Sequence, residues 1–136
     1  MLTNLIFNRT AADVANKTAK GLYRYTDMNR VQNAVASIRQ RYIDAGYTVT
    51  GYTLSTWAEN AIPRYSQTER YLNAVKALDG LVTLADRPEL PTSMNALNYI
   101  GANNIEKFLY NMDEARDNLE SAWWFTNEII SGEVDV

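Results

Sequence analysis

Carboxylates are the only side chains in this chain suited to acid–base chemistry. Its 136 residues include no histidine and no cysteine. That removes Ser-His-Asp and Cys-His catalysis, disulfides, thiolate metal sites and ordinary zinc sites. Asp113, Glu114 and Asp117 cluster near the C-terminal end, while Glu69 and Glu106 stand apart. A glycosidase needs two carboxyl groups about 5–10 Å apart across a cleft, so cell-wall cleavage is the enzymatic reading to weigh. Arg116 lies inside the cluster, however, and interleaved charges on a helix usually form a solvated face. Asp113-Glu114-Ala115-Arg116-Asp117 lacks the alternation, central glycine and terminal glutamate of a calcium loop. Gly101-Ala102-Asn103-Asn104 lacks the lysine of a phosphate loop. We therefore assign no catalytic, cofactor-binding or metal-ligating residue and expect a non-enzyme.

Rings and cations are the remaining chemistry. Nine tyrosines and three tryptophans supply amphipathic surfaces that fill cores, cover interfaces or stack on sugars. Trp57 fits any of these roles. Trp123 and Trp124 are adjacent, so on a helix they diverge by about 100° and do not share one core face. Arg24, Arg30, Arg39 and Arg41 are the most basic group, and phosphate contact is their functional reading. Asp27 and Asp44 sit among them and the net charge is −3. That balance is wrong for a nucleic-acid binder or a polybasic membrane surface.

The elements that must position these residues are helical. Hydrophobic residues are 46% and charged residues 21%, as in a globular domain. Residues 1–9 form an arm whose Leu2, Leu5, Ile6 and Phe7 are too apolar for water and should dock on the core or on a neighbour. The run is too short and broken for a signal peptide, and no apolar stretch is long enough to span a membrane. Thr10 caps a helix to about Lys20, with Gly21 as its stop. Thr26 caps the clearest helix. Its stripe is Met28, Val31, Val35, Ile38, Tyr42 and Ala45, and Gly46 follows. Residues 47–52 are a short strand or an extended link, and Asn60-Ala61-Ile62-Pro63 is a break. Ser66-Gln67-Thr68-Glu69 reads as a capping box for a helix to about Asp79, with Leu72, Val75 and Leu78 inward. Pro88 and Pro91 mark an extended connection. Thr92 or Ser93 then caps the last helix, whose stripe runs Ile105, Phe108, Met112, Ala115, Leu119 and Ala122 to an end at Ser131-Gly132. Unbroken, it would be about 50 Å long; a kink at 111–113 is the alternative. Antiparallel packing of this helix on 26–45 within one subunit is the expected arrangement, ahead of an intersubunit coiled coil.

Three blocks carry a family resemblance. They are Tyr25-Thr26-Asp27-Met28-Asn29-Arg30-Val31-Gln32 leading to Asp44-Ala45-Gly46-Tyr47; Trp57 with Ile62-Pro63 and Tyr71-Leu72-Asn73-Ala74-Val75-Lys76-Ala77-Leu78; and residues 93–133 from Ser93-Met94-Asn95 to Ile130-Ser131-Gly132-Glu133. In this order and spacing, residues 9–133 resemble a module found in virion proteins of tailed bacteriophages of Gram-positive bacteria, described as minor structural or tail-fibre-like. No activity is attached to that module.

The expectation is a mostly α protein: a bundle of three to four helices (10–133) with an extended N-terminal arm (1–9), a proline-containing connection and a short tail (134–136). The resemblance implies a structural part of a phage or phage-tail-like particle, in the tail, baseplate or fibre apparatus, made in the host bacterial cytoplasm and residing in the virion. Its partners would be other virion proteins and copies of itself, without cofactor, nucleic acid or membrane. The alternatives are a module binding cell-wall carbohydrate on the host surface and a capsid-associated decoration protein. Where related modules sit within longer chains, this one fills nearly the whole sequence, leaving little for a separate binding head. The candidate contact residues are Leu5, Ile6, Phe7, Trp123, Trp124, Phe125, Ile129 and Ile130.

Overall fold

The computed structural model describes residues 2–51, 56–59 and 64–134, the side chains at 65, 96 and 121–134 excepted. Among these, the chain forms four α-helices and no strand: α1 (Ala11–Ala15), α2 (Tyr25–Asp44), α3 (Tyr65–Lys76) and α4 (Tyr99–Val134), with a 3₁₀ turn at Met94–Ala96. The expected mostly α bundle is thus what the sequence builds. Residues 47–51 take no strand pairing. The expected break at Asn60–Pro63 lies outside the described residues, as do Tyr52 of the 47–52 segment and Asp135 and Val136 of the tail.

Caps set the helix ends, in places one turn from where the sequence suggests. α1 starts at Thr10 as expected. The Asp13 N–H donates to Thr10 Oγ1 (3.2 Å), and Asp13 returns an acceptor to the Thr10 N–H (3.0 Å). It stops at Ala15, short of Gly21, because Lys17 turns left-handed with φ of 53°. Gly21 instead permits close approach: a Cβ there would meet the Asp13 carbonyl oxygen. α2 begins before Thr26, because Asp27 accepts from the Arg24 N–H at 2.7 Å and moves the cap two positions earlier. α3 likewise begins before Ser66, with Gln67 accepting from the Arg64 N–H at 2.9 Å. It ends at Lys76. Ser93 caps only the 3₁₀ turn, accepting from the Asn95 N–H at 3.2 Å. Asn98 opens α4 by accepting from the Gly101 N–H at 2.8 Å. α4 then runs unbroken through 111–113 and past Ser131-Gly132 to Val134, about 54 Å at 1.5 Å per residue.

The C-terminus of α2 follows from one glycine. Gly46 has φ of +96°. The Tyr47 N–H reaches the Tyr42 carbonyl (3.0 Å) and the Gly46 N–H reaches that of Ile43 (2.9 Å), the double bond pattern of a Schellman cap. The apolar contact that accompanies such caps is present: the Tyr42 and Tyr47 rings meet edge to face at 5.1 Å.

The core lies among α2, α3 and α4. Val31, Val35, Ile38 and Tyr42 of α2 meet Tyr71, Leu72, Val75 and Leu78, and Ile105, Phe108, Leu109 and Met112 of α4, all buried. Ala45 falls off the predicted stripe into solvent, and Leu119 is 39% exposed. Trp57 is buried, not stacked outward for a sugar. Its backbone N–H and carbonyl are both held by the Asn29 side chain at 2.9 Å, and its ring stands edge-on to Tyr71.

One expectation about packing is reversed. Arg30 pairs with Glu106, Tyr42 with Met112, and Arg41 with Asp113 and Asp117. Rising numbers on α2 meet rising numbers on α4, so the two helices run in the same sense, not antiparallel. Antiparallel neighbours arise from short loops. Here residues 45–98, with α3 inside them, are long enough to bring the chain back to its starting end.

Two outcomes follow. Gly46→Ala should cost about 1 kcal/mol, read from the urea midpoint, because a Cβ is strained at that φ. Burial first, and then the charge of neighbouring Tyr47, pushes the Tyr42 phenol up to about 12; burial also raises Tyr23 and Tyr71. A raised phenol contributes stability that is complete below its unfolded value near 10 and is lost as pH climbs through the folded value. Stability should therefore fall between about pH 10 and 12, with phenolate absorbance and loss of helical circular dichroism rising together. Full ionisation of all nine tyrosines with the helices intact would contradict this.

Candidate functional site

α4 carries a polar stripe, Asn103, Glu106, Tyr110 and Asp113, on steps of three and four residues. The N-terminal arm lies along it in the opposite direction. The Leu2 N–H donates to Asp113 Oδ2 (2.7 Å), the Ile6 N–H to Glu106 Oε1 (3.1 Å) and the Arg9 N–H to Asn103 Oδ1 (3.0 Å). Asn103 Nδ2 completes the clamp by donating to the Arg9 carbonyl (2.9 Å). An extended segment needs partners for its backbone amides, and here α4 side chains supply them. Leu5 packs against the core. Phe7 meets the Tyr110 ring at 5.2 Å, with the Lys107 ammonium 4.9 Å from the Phe7 centroid. Leu5, Ile6 and Phe7 thus dock on their own chain and are half-buried there.

Glu106, fully buried, is the centre of the charged cluster. Arg30 grips it as a fork, Nε to Oε1 at 2.8 Å and Nη2 to Oε2 at 3.0 Å. Arg9 Nη2 adds a bond to Oε2 at 2.7 Å. With the Ile6 N–H, four donors fill the carboxylate's acceptor sites. Asp27 balances the second guanidinium, accepting from Arg30 Nη2 at 2.6 Å and from Arg9 Nη2 at 3.5 Å. Two positive and two negative groups therefore neutralise one another inside the protein. Burial works against the charged Arg30 guanidinium, but the hydrogen bonds to Glu106 and Asp27 outweigh it and raise its pKa.

A second fork sits further along α4. Arg41 reaches Asp113 Oδ1 and Asp117 Oδ1, both at 2.6 Å, and Glu120 Oε2 at 3.5 Å. Asp113 is 1% exposed, which corrects its reading as part of a solvated face. Glu114 does face solvent. Arg30 and Arg41, two of the four arginines weighed for phosphate contact, point at carboxylates of α4. A signal for this was present: Arg30 and Arg41 are eleven apart, as are Glu106 and Asp117. Eleven residues make three helical turns, so matching pairs on two helices running the same way meet face to face.

Near this cluster two tyrosine hydroxyls, Tyr23 and Tyr71, hydrogen-bond to each other. The Arg9 guanidinium lies 5.6 Å from the Tyr23 ring centroid. Trp123, Trp124, Phe125, Ile129 and Ile130 belong to α4, with side chains outside the described residues. Among the described residues, no group of acidic side chains is arranged to hold a metal, and no helix is long and apolar enough to cross a membrane. No protein-family model, curated protein or solved structure matches the chain.

The cluster can be tested through its asymmetry. Glu106→Gln preserves shape but leaves Arg9 and Arg30 facing one carboxylate. It should cost about 3–5 kcal/mol in urea unfolding, as expected when one partner of a buried pair is removed. Glu114→Gln should stay within about 0.5 kcal/mol.

Proposed function

We propose that this protein is a structural component of a bacteriophage or phage-tail-like particle, acting by protein–protein assembly in the tail, baseplate or fibre apparatus. The observation that carries this reading is the ordered set of three sequence blocks across residues 9–133 that resembles the virion module. The disposition of its polar chemistry supports it. Asp27, Glu106 and Asp113, the buried carboxylates, are bound to arginines and backbone amides. They serve as fasteners between α2, α4 and the arm.

In this reading the protein is a stiff body. Arm, α2 and α4 are locked together by charge-assisted bonds, and α4 continues as a rod to Val134. Such a part places surfaces at fixed distances and transmits load. Partners are other virion proteins and further copies of this chain, and its location is the assembled particle.

Mass spectrometry of purified particles tests this directly. The chain should appear in stoichiometric amount relative to a tail or baseplate protein. Its absence from particles while it is abundant in the producing cell would defeat the reading.

A further inference from the structure

The arm joins the body through a segment that buries almost nothing. Residues 10–20 are exposed except for half-buried Asp13 and Lys20, and α1 within them has no buried residue. The polar groups of this segment close on its own Asp13. That carboxylate accepts from the Thr10 and Thr18 hydroxyls at 2.9 and 3.0 Å and pairs with the Lys20 ammonium at 3.4 Å. Lys17, in the middle, is the one non-glycine residue with positive φ among the described residues. A lysine held left-handed there is strained.

Beyond this hinge the arm is a separable peg. Of residues 2–9, Arg9 alone is buried. The peg is seated by single bonds from the Leu2, Ile6 and Arg9 amides to Asp113, Glu106 and Asn103. The Arg9 guanidinium then completes the buried Glu106 cluster. The seat therefore fits one segment: amides four and three residues apart, with an arginine at the last. Every copy of the chain carries both the peg and the seat.

We infer that the arm exchanges between two copies, each laying its residues 2–9 on the other's α4. The seating bonds are the same in the pair as in the single chain. The equilibrium is therefore set by the hinge and by the concentration of copies. Extended, residues 10–20 span about 36 Å at 3.3 Å per residue, enough to carry the arm clear of its own body. Straightening also frees Lys17 from its left-handed turn, and a strained hinge favours exchange. Each copy gives Arg9 to the other's Glu106, so the contact closes at two. The inference rests on the assembly reading above for the crowding of copies, and it names the partner and the contact.

Cross-linking tests the exchange, because a chain without cysteine reports only the cysteines introduced into it. Asn8 is exposed and lies between Phe7, beside Lys107, and Arg9, seated on Asn103. Full chains bearing Asn8→Cys and isotope-labelled chains bearing Lys107→Cys are unfolded, refolded together and treated with a short bis-maleimide. Mass spectrometry should find pairs joined from 8 to 107, outnumbering the 8-to-8 and 107-to-107 pairs that collision produces. While pairs are the minor form, their ratio to single chains should rise about tenfold for a tenfold rise in concentration. A chain bearing both substitutions should link within itself when dilute. Lys17→Gly should lower the yield of mixed pairs about threefold, because it relaxes the closed hinge. No mixed pairs up to about 1 mM, with or without the link inside one chain, overturns the inference. A yield that Lys17→Gly leaves unchanged overturns the role of the hinge. A chain found in particles that forms no mixed pairs sinks the exchange and leaves the assembly reading standing, whereas mixed pairs from a chain absent from particles do the reverse.

Discussion

The fold depends on one buried carboxylate. Glu106 accepts from the extended arm and from guanidinium groups at both its oxygens. Arg9 comes from the arm, Arg30 from α2, and Glu106 itself from α4. One side chain therefore fastens three segments that are far apart in sequence. Taking these charges out of water carries a penalty of several kcal/mol each, offset only when every donor and acceptor is matched. Asp27 supplies the remaining negative charge. Such a cluster adds less to stability than an apolar core of the same volume would. What it fixes is arrangement: α2 and α4 in the same sense and the arm in one register along α4.

That arrangement explains the other departures from a simple bundle. Because α2 and α4 run together, the chain must return over residues 45–98 to begin α4 at the right end. α3 is built into this return path and closes the core with Leu72 and Val75, joined by Leu78 just past its end. Asparagines on helices hold extended segments where no sheet exists. Asn29 clamps Trp57 and Asn103 clamps Arg9, each with one donated and one accepted bond. A side-chain amide carries the same donor and acceptor as a peptide group, so each clamp acts as one rung of a ladder.

Together these features amount to rigidity. Bidentate and charge-assisted bonds between segments demand one geometry, so they fix how the segments sit on one another. The long α4 separates the fastened body at one end from an aromatic-rich sequence at the other.

The sequence by itself determined the helices, their apolar stripes and most of the buried core, because those depend on local periodicity and on residues three and four apart. It determined Gly46 as a helix end, since only one residue type is at ease at that φ. It also removed histidine and cysteine chemistry outright. Tertiary structure alone decided which charges are inside. Asp113 and Glu114 are neighbours in sequence and alike in chemistry, yet one is buried against Arg41 and the other faces water. Cap positions at Arg24, Arg64 and Asn98 were hidden because acceptors three residues on, or an asparagine after a 3₁₀ turn, outcompeted the better-known capping residues. The direction of α4 relative to α2 was hidden for a deeper reason. Helical periodicity is the same read forwards or backwards, so only the pairing of Arg30 with Glu106 and Arg41 with Asp113, residues more than seventy positions apart, sets the sense in which the two stripes meet.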